Sequence, residues 1–313
     1  MTSRVRKIRT PAKINLGLRL LGLRGDGYHL LESVFVPIAV WDDLEIEILD
    51  GEPGIELTLA APGSDESDVL SHDLSDVTDG PENLVVRAAE AFCMETGFDR
   101  RIGLRLTKRI PAGAGLGGGS SDAGAVLRGM ASLFEGQISS ETLRGLALGI
   151  GADVPFFLAP APSLVRGIGE IIEPLEGIPA LDLVVVNPGI SLATAEVFRA
   201  ADALGSALTD GRPGSTMRAI SRLRGETGAF APALGDLLIN DLEPAARRLC
   251  PPVARLIERL SEVGAVGVGM SGSGATVFGV FASGEMANQA ARGLRVSEAA
   301  HCWIQVTRVI TAQ

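Results

Sequence analysis

The chain has 313 residues, 46% of them apolar, and a formal net charge of −10. That length is comfortable for two domains and the composition is that of a soluble globular protein. The negative balance argues against a nucleic-acid binder, which needs an electropositive face to release counterions. Cys93, Cys250 and Cys302 lie far apart with no Cys-x-x-Cys pair, so neither a disulfide framework nor a zinc site is expected. The basic first residues lead into an apolar stretch broken by Asn15, Arg19 and Arg24, so neither a signal-peptide core nor a membrane span is expected and a reducing cytoplasm fits.

Residues 4 to 21 predict a strand with Ile14, Leu16, Leu18 and Leu20 on one face and Lys13, Asn15 and Gly17 on the other. A lysine and an amide two residues apart on one sheet face can reach one ligand; a solvated outer face is the alternative. Lys7, Lys13 and Lys108 are the only lysines among 28 basic residues, and a compact ammonium in an arginine-rich chain points to a specific need. Gly25 to Leu30 predicts a turn that presents Tyr28, the only tyrosine, beside His29; a ring next to an imidazole suits a flat heterocycle. Residues 34 to 48 predict two strands with a bend at Trp41-Asp42-Asp43. Seven carboxylates between Ala61 and Glu82, with no lysine or arginine, predict an exposed loop. Asn83 to Met94 predicts a helix stopped at Gly97.

Ile102, Leu104 and Leu106 alternate as a strand, and the run Pro111, Ala112, Gly113, Ala114, Gly115, Leu116, Gly117, Gly118, Gly119, Ser120, Ser121 follows. No helix or strand interior accommodates so many glycines, so the run is expected to be a loop that something approaches closely. A helix is expected from Ser120, with Ala123, Val126, Leu127 and Met130 on its apolar face. Strand, glycine turn and helix N-terminus aim several backbone N–H groups and a positive dipole end at one point, which suits a phosphate chain. The run is no Walker A loop, because Ser120 and not Lys follows Gly119, and its match to a dinucleotide fingerprint is a weak one inside a glycine run.

Glu141 to Gly149 predicts a helix capped by Ser139 or Ser140. Beyond it Asp153 sits between a glycine pair and an apolar run; local residues alone leave a hydrogen-bonded loop aspartate and a catalytic one equally open. A composition shift at Ala159 to Pro162 predicts a domain boundary. Then come a strand over Leu181 to Val186, helices from Thr194 and over 215–224, 236–248 and 252–263, and a glycine-rich turn, Ser271 to Gly274, between two apolar strands. Residues 284–294 and 302–310 predict a closing helix and strand.

Pro111 to Ser121 resembles the ATP loop of the GHMP small-molecule kinases. Pro11 to Leu16, Arg24 to His29, Gly151 to Pro155, Asn240 to Glu243 and Met270 to Ala275 resemble, in the same order, the members of that family that phosphorylate a cytidyl diphosphate sugar alcohol in non-mevalonate isoprenoid precursor synthesis. The resemblance implies an α+β, two-domain GHMP-kinase fold with the active site in the inter-domain cleft. Residues 1–160 would be the N-terminal ATP-binding domain and 161–313 the C-terminal one. It implies ATP as co-substrate with Mg²⁺, Lys13 and Asp153 as the catalytic pair, and Asn83 and Lys108 with the 111–121 loop on the nucleotide side. Tyr28 and His29 would hold cytosine, with Asn15 and Thr194 near the acceptor. Asp122, an asparagine in some members, adds a negative charge beside the loop and is expected to face away from the phosphates.

Overall fold

The computed structural model describes residues 5–60, 77–134, 136, 138–205, 215–225, 230–298 and 302–311. Residues 61–76, most of the acidic stretch expected as an exposed loop, lie outside the described residues. The chain packs as two compact units, 1–12 with 40–112 and 117–160, and 13–39 with 113–116 and 161–313. A single cut after residue 160 would place 13–39 and 113–116 with the first unit. They pack with the second because β1 (Val5–Leu23) and β2 (His29–Leu49), which pair with each other, are long enough to contribute to both.

In the first unit β4 (Arg101–Thr107) lies between β3 (Gly54–Ala60), paired parallel, and the Asp43–Leu49 end of β2, paired antiparallel. α1 (Leu84–Thr96), α2 (Gly118–Leu133) and α3 (Ser140–Ile150) share a core with these strands that includes Leu44, Ile46, Phe92, Leu104, Val126 and Val154. The cap expected before α3 is in place, whereas Asn83, expected as the first helical residue, stands before α1 as its cap. The Asn83 side chain accepts from Val85 N at the start of α1, and Ser139 accepts from Thr142 N before α3. A 3-10 turn, Val154–Leu158, follows Asp153.

In the second unit Leu31–Phe35 of β2 pairs antiparallel with β5 (Ser163–Gly167), and β5 with β6 (Ile171–Pro174). A separate antiparallel sheet has the order β10 (Trp303–Arg308), β7 (Asp182–Asn187), β9 (Val277–Phe281), β8 (Gly267–Met270). The helices are α4 (Thr194–Ala203), α5 (Ser215–Leu223), α6 (Phe230–Leu237), α7 (Glu243–Leu249), α8 (Pro251–Glu262) and α9 (Gly284–Glu298). β7, α4, α7, α8 and α9 bury one shared core around Val184, Val197, Ala246, Leu256 and Leu294.

Three expectations need correction. The bend at Trp41–Asp43 is absent and β2 runs straight through it, because Val34, Val36, Ile38, Val40, Asp42, Leu44 and Ile46 keep one phase and are all buried. The single helix over 236–248 is two, α6 and α7, separated by Asn240, whose Oδ1 accepts from Leu242 N while its Nδ2 binds the carbonyls of Met270 and Gly272. α2 begins at Gly118, two residues before Ser120, because Gly117 stands before it at φ +69° with no side-chain cap. The mixture of helices with largely antiparallel sheets is the α+β class expected.

Candidate active site

Within the second unit, Lys13 and Asn15 are 4% and 2% exposed, which rules out a solvated outer face for this side of β1. The Lys13 ammonium donates to Asn15 Oδ1 at 2.7 Å and stands 4.6 Å from the centre of the Phe35 ring. Asn15 Nδ2 donates to Ser33 Oγ at 2.8 Å, and the Ser33 hydroxyl donates to the Gly17 carbonyl. Lys13 is therefore a fixed charge: Asn15 orients it, and Ser33 orients Asn15.

The same strand is laced to both glycine-rich turns. Lys13 N donates to the Leu116 carbonyl at 2.9 Å, Asn15 N donates to Ser271 Oγ at 3.3 Å, and the Ser271 hydroxyl donates to the Gly115 carbonyl at 2.9 Å. Gly115 has φ +74°, and a Cβ there would stand 2.5 Å from the Ser271 carbonyl oxygen. Asn240 secures the Ser271–Gly274 turn from its other side, and Thr194 Oγ1, at the first residue of α4, lies 3.0 Å from Ser273 Oγ. Ser33 carries no sequence signal, and the Ser271 to Gly274 turn, which the sequence leaves open between a plain hairpin and a second loop against the phosphates, packs on the glycine run. Ser271 lies 256 positions from Asn15, so no local pattern could join them.

Tyr28 and His29 occupy the β1–β2 turn, which Arg24 braces by donating to both Asp26 oxygens. Tyr28 is 59% exposed, with the Arg24 guanidinium 5.6 Å from its ring centre. The His29 ring is held, with Nε2 2.8 Å from Asp202 Oδ1 and its centroid 4.8 Å from that of Phe198. Phe198 and Asp202 are an unforeseen pair. Their one sequence signal is the i, i+4 spacing that puts both on one face of α4.

In the first unit α2 starts at the far end of the glycine run. Ala114 and Leu116 are buried anchors, whereas Ala112, Gly113 and Gly119 are exposed and Pro111, Gly115, Gly117 and Ser120 lie between. Gly117 supplies no side chain to cap α2, so its first N–H groups are left to other partners. Ser121 Oγ, in that first turn, is buried and has no hydrogen-bond partner among the described residues. Asp153 precedes the 3-10 turn that packs on α2, where a Cβ at Gly124 would meet Phe157 at 2.8 Å. Asn83 is engaged as the α1 cap, and Lys108 is buried between Asp42 and Asp122. Asp122 turns inward, its oxygens taken by Lys108 and by the Thr10 hydroxyl. Lys13, Asn15, Tyr28, His29, Thr194 and Gly113 to Leu116 belong to the second unit, and Asp153, Asn83, Lys108, Pro111, Ala112 and Gly117 to Ser121 to the first.

Two family models match: the GHMP kinase N-terminal domain over residues 83–160 and the GHMP kinase C-terminal domain over 217–297. A 4-diphosphocytidyl-2-C-methyl-D-erythritol kinase of Citrifermentans bemidjiense is 40% identical over 284 residues, covering 90% of this chain and 91% of its own; one of Geobacter metallireducens is 38% identical, covering 92% and 93%. Among solved structures, a 4-(cytidine 5'-diphospho)-2C-methyl-D-erythritol kinase superposes with a TM-score of 0.75 at 34% identity, over 97% of this chain and all of its own. An L. major mevalonate kinase solved with R-mevalonate shares the fold, with a TM-score of 0.73 at 18% identity over 99% and 98% of the two chains.

Proposed function

Because the chain belongs to the 4-diphosphocytidyl-2-C-methyl-D-erythritol kinase family of GHMP kinases, we propose that it transfers the γ-phosphoryl group of ATP to the 2-hydroxyl of 4-diphosphocytidyl-2-C-methyl-D-erythritol, giving ADP and the 2-phosphate. The observation that carries this is the buried Lys13, fixed by Asn15 and tied through its own backbone to the glycine loop. Burying an ammonium is expensive, and a site that keeps it beside a loop built for anions has a use for the charge.

Phosphoryl transfer passes through a loose, in-line transition state, so the protein's work is positioning and charge compensation. The acceptor hydroxyl oxygen bonds to the γ-phosphorus as the bond to the β–γ bridging oxygen breaks, and ADP leaves with that electron pair. Asp153 takes the hydroxyl proton, and the Lys13 ammonium favours the developing alkoxide. The N–H groups at the start of α2, which no side chain caps, receive the phosphates. ATP binding is assigned chiefly to the unit of residues 1–12, 40–112 and 117–160, which carries α2. Tyr28 offers its exposed ring to cytosine, His29 a ring nitrogen to the base edge, and Asn15 and Thr194 face the sugar alcohol.

Among the described residues no group of three His, Cys, Asp or Glu side chains could cage a metal. Mg²⁺ in phosphoryl-transfer sites is held by substrate phosphates with one or two protein oxygens. Ser121 Oγ, buried and without a partner among the described residues, suits such a ligand. Mg²⁺ bound there would neutralise charge on the β- and γ-phosphates. The setting proposed is the non-mevalonate route in the cytoplasm; no helix among the described residues is long and apolar enough to cross a membrane.

Asp153→Asn tests the scheme. It should lower kcat by about 10²- to 10⁴-fold, the usual loss of a general base, with ADP affinity within about twofold. A kcat within a few-fold of the parent would show that Asp153 has no part in proton transfer.

A further inference from the structure

The first unit contains a buried ionic cluster that the scheme above leaves unused. Asp42, Asp122 and Lys108 are 0%, 1% and 4% exposed. The Lys108 ammonium donates to Asp42 Oδ2 and, at 2.7 Å, to Asp122 Oδ2; the Thr10 hydroxyl donates to Asp122 Oδ1 at 2.7 Å. Asp42 Oδ1 accepts from the backbone N–H groups of Arg109 and Ile110. One point thus ties together β1, β2, the residues that leave β4 and the second turn of α2.

Two buried carboxylates on a single cation make a poor stability device, because desolvation offsets most of the attraction and apolar residues of the same volume do as well or better. The position of the cluster suggests another use. A Cβ at Gly118, the first residue of α2, would stand 3.2 Å from Lys108 Nζ, so the ammonium lies directly under the glycine-loop end of the helix. Gly117 offers no cap, which makes Asp122 the first side chain of α2 with hydrogen bonds to other elements.

We propose that Lys108, Asp42 and Asp122 are positioning residues: their clasp sets where the N-terminus of α2 lies, and so its grip on the phosphates of ATP, while the Lys108 ammonium touches no part of the nucleotide. This rests on the phosphate-binding role proposed for the glycine loop. For the ammonium to meet ATP it would have to abandon two buried carboxylates, a far larger penalty than one contact returns.

Thr10 separates the two possibilities, since its hydroxyl reaches the clasp through Asp122 and, at 3.4 Å, the Asp42 carbonyl, without touching Lys108. Titration calorimetry with adenosine and with ADP, and KM values for ATP and for the cytidyl acceptor, would be measured for the parent, Thr10→Val, Thr10→Ser and Lys108→Met. Loosening the clasp in Thr10→Val should weaken ADP and raise the ATP KM by about 10- to 150-fold, the span of one buried hydrogen bond to a charged group. Adenosine affinity and the acceptor KM should stay within about twofold, and Thr10→Ser, which keeps the hydroxyl, should behave as the parent. Lys108→Met, if it folds, should show the same phosphate-dependent pattern more strongly. A silent Thr10→Val beside a Lys108→Met that loses adenosine and ADP alike would mean direct contact and overturn the proposal. Equal loss of every ligand with a lower melting temperature would reduce the clasp to plain stability and also overturn it. A parent protein that binds ADP no more tightly than adenosine would instead remove the phosphate role of the loop, and the clasp proposal with it.

Discussion

Gly115→Ala is the substitution whose cost can be worked most directly from the structure. At φ +74° an alanine is strained by about 1–2 kcal/mol. Its Cβ would lie 2.5 Å from the Ser271 carbonyl oxygen, almost 1 Å inside an ordinary 3.4 Å contact. Both atoms are backbone-bound, so the two turns must part, and the 2.9 Å hydrogen bond from Ser271 to the Gly115 carbonyl is lost with a further cost of about 1 kcal/mol. Together this is about 2–3 kcal/mol, or about a 30- to 150-fold change in an equilibrium constant. The loop relieves the strain by leaving its bound geometry, so the change should fall on the ATP KM, with a modest loss in melting temperature and an acceptor KM within a few-fold. Steady-state kinetics with each substrate varied in turn, together with thermal melts, would measure it. Gly145→Ala is the control: that glycine lies inside α3 with open space at its Cβ position, and the change should leave kinetics untouched and add about 0.5–1 kcal/mol of stability. A Gly115→Ala protein with the parent's ATP KM and melting temperature would refute the close-approach argument.

Lys13→Arg should lose nearly as much kcat as Lys13→Ala, because a planar guanidinium cannot replace a compact ammonium held by Asn15 beneath Phe35; parental turnover in the arginine variant, by ADP release, would contradict this. Tyr28→Ala should weaken the cytidyl substrate by about 5- to 150-fold, the worth of one stacked base, and Tyr28→Phe much less. Since Tyr28 is 59% exposed, its melting temperature should hardly move, and calorimetry showing no loss of substrate affinity would make it an ordinary surface residue. Asp122 gives a pH signature: burial, against the pull of Lys108 and with the help of the Asp42 charge, pushes its carboxyl up from 3.8 to about 6. A raised folded pKa means stability that is present below about 4 and lost as pH rises through about 6, up to about 3 kcal/mol over two units. Urea melts between pH 4 and 7.5 should therefore show Asp122→Asn gaining on the parent as pH rises; parallel profiles would contradict the shift.

How far the sequence discloses the molecule depends on the range of the contacts involved. Strands, helices and caps set by neighbours a few residues apart, such as Ser139 before α3 and the alternation of Ile102, Leu104 and Leu106, follow from local chemistry and stand in the structure. Local signals also put Lys13 and Asn15 on one face of β1. Their burial depends on Ser33 and Ser271, which the fold brings from far along the chain. Asp42 was legible in principle: it stays in phase with Val40 and Leu44, and a true bend would have reset that alternation. The sequence alone reads the carboxylate as a turn residue, because a buried charge makes sense only once Lys108, 66 residues away, is seen to meet it. Asn240 divides a run whose composition is helical throughout, since its amide is claimed by carbonyls of the Met270–Gly272 backbone. The motifs that resemble the family fared differently, because together they identify a whole fold that no single one specifies.

The most direct test of the central claim is an ADP-release assay with purified protein, ATP and Mg²⁺ across four alcohols: 4-diphosphocytidyl-2-C-methyl-D-erythritol, mevalonate, homoserine and galactose. The last three stand for the acceptors of other GHMP kinases that share this fold. Turnover confined to the cytidyl substrate, with phosphorus resonance placing the new monoester on the 2-hydroxyl, is the predicted result. Turnover of another alcohol with none of the cytidyl substrate would contradict it.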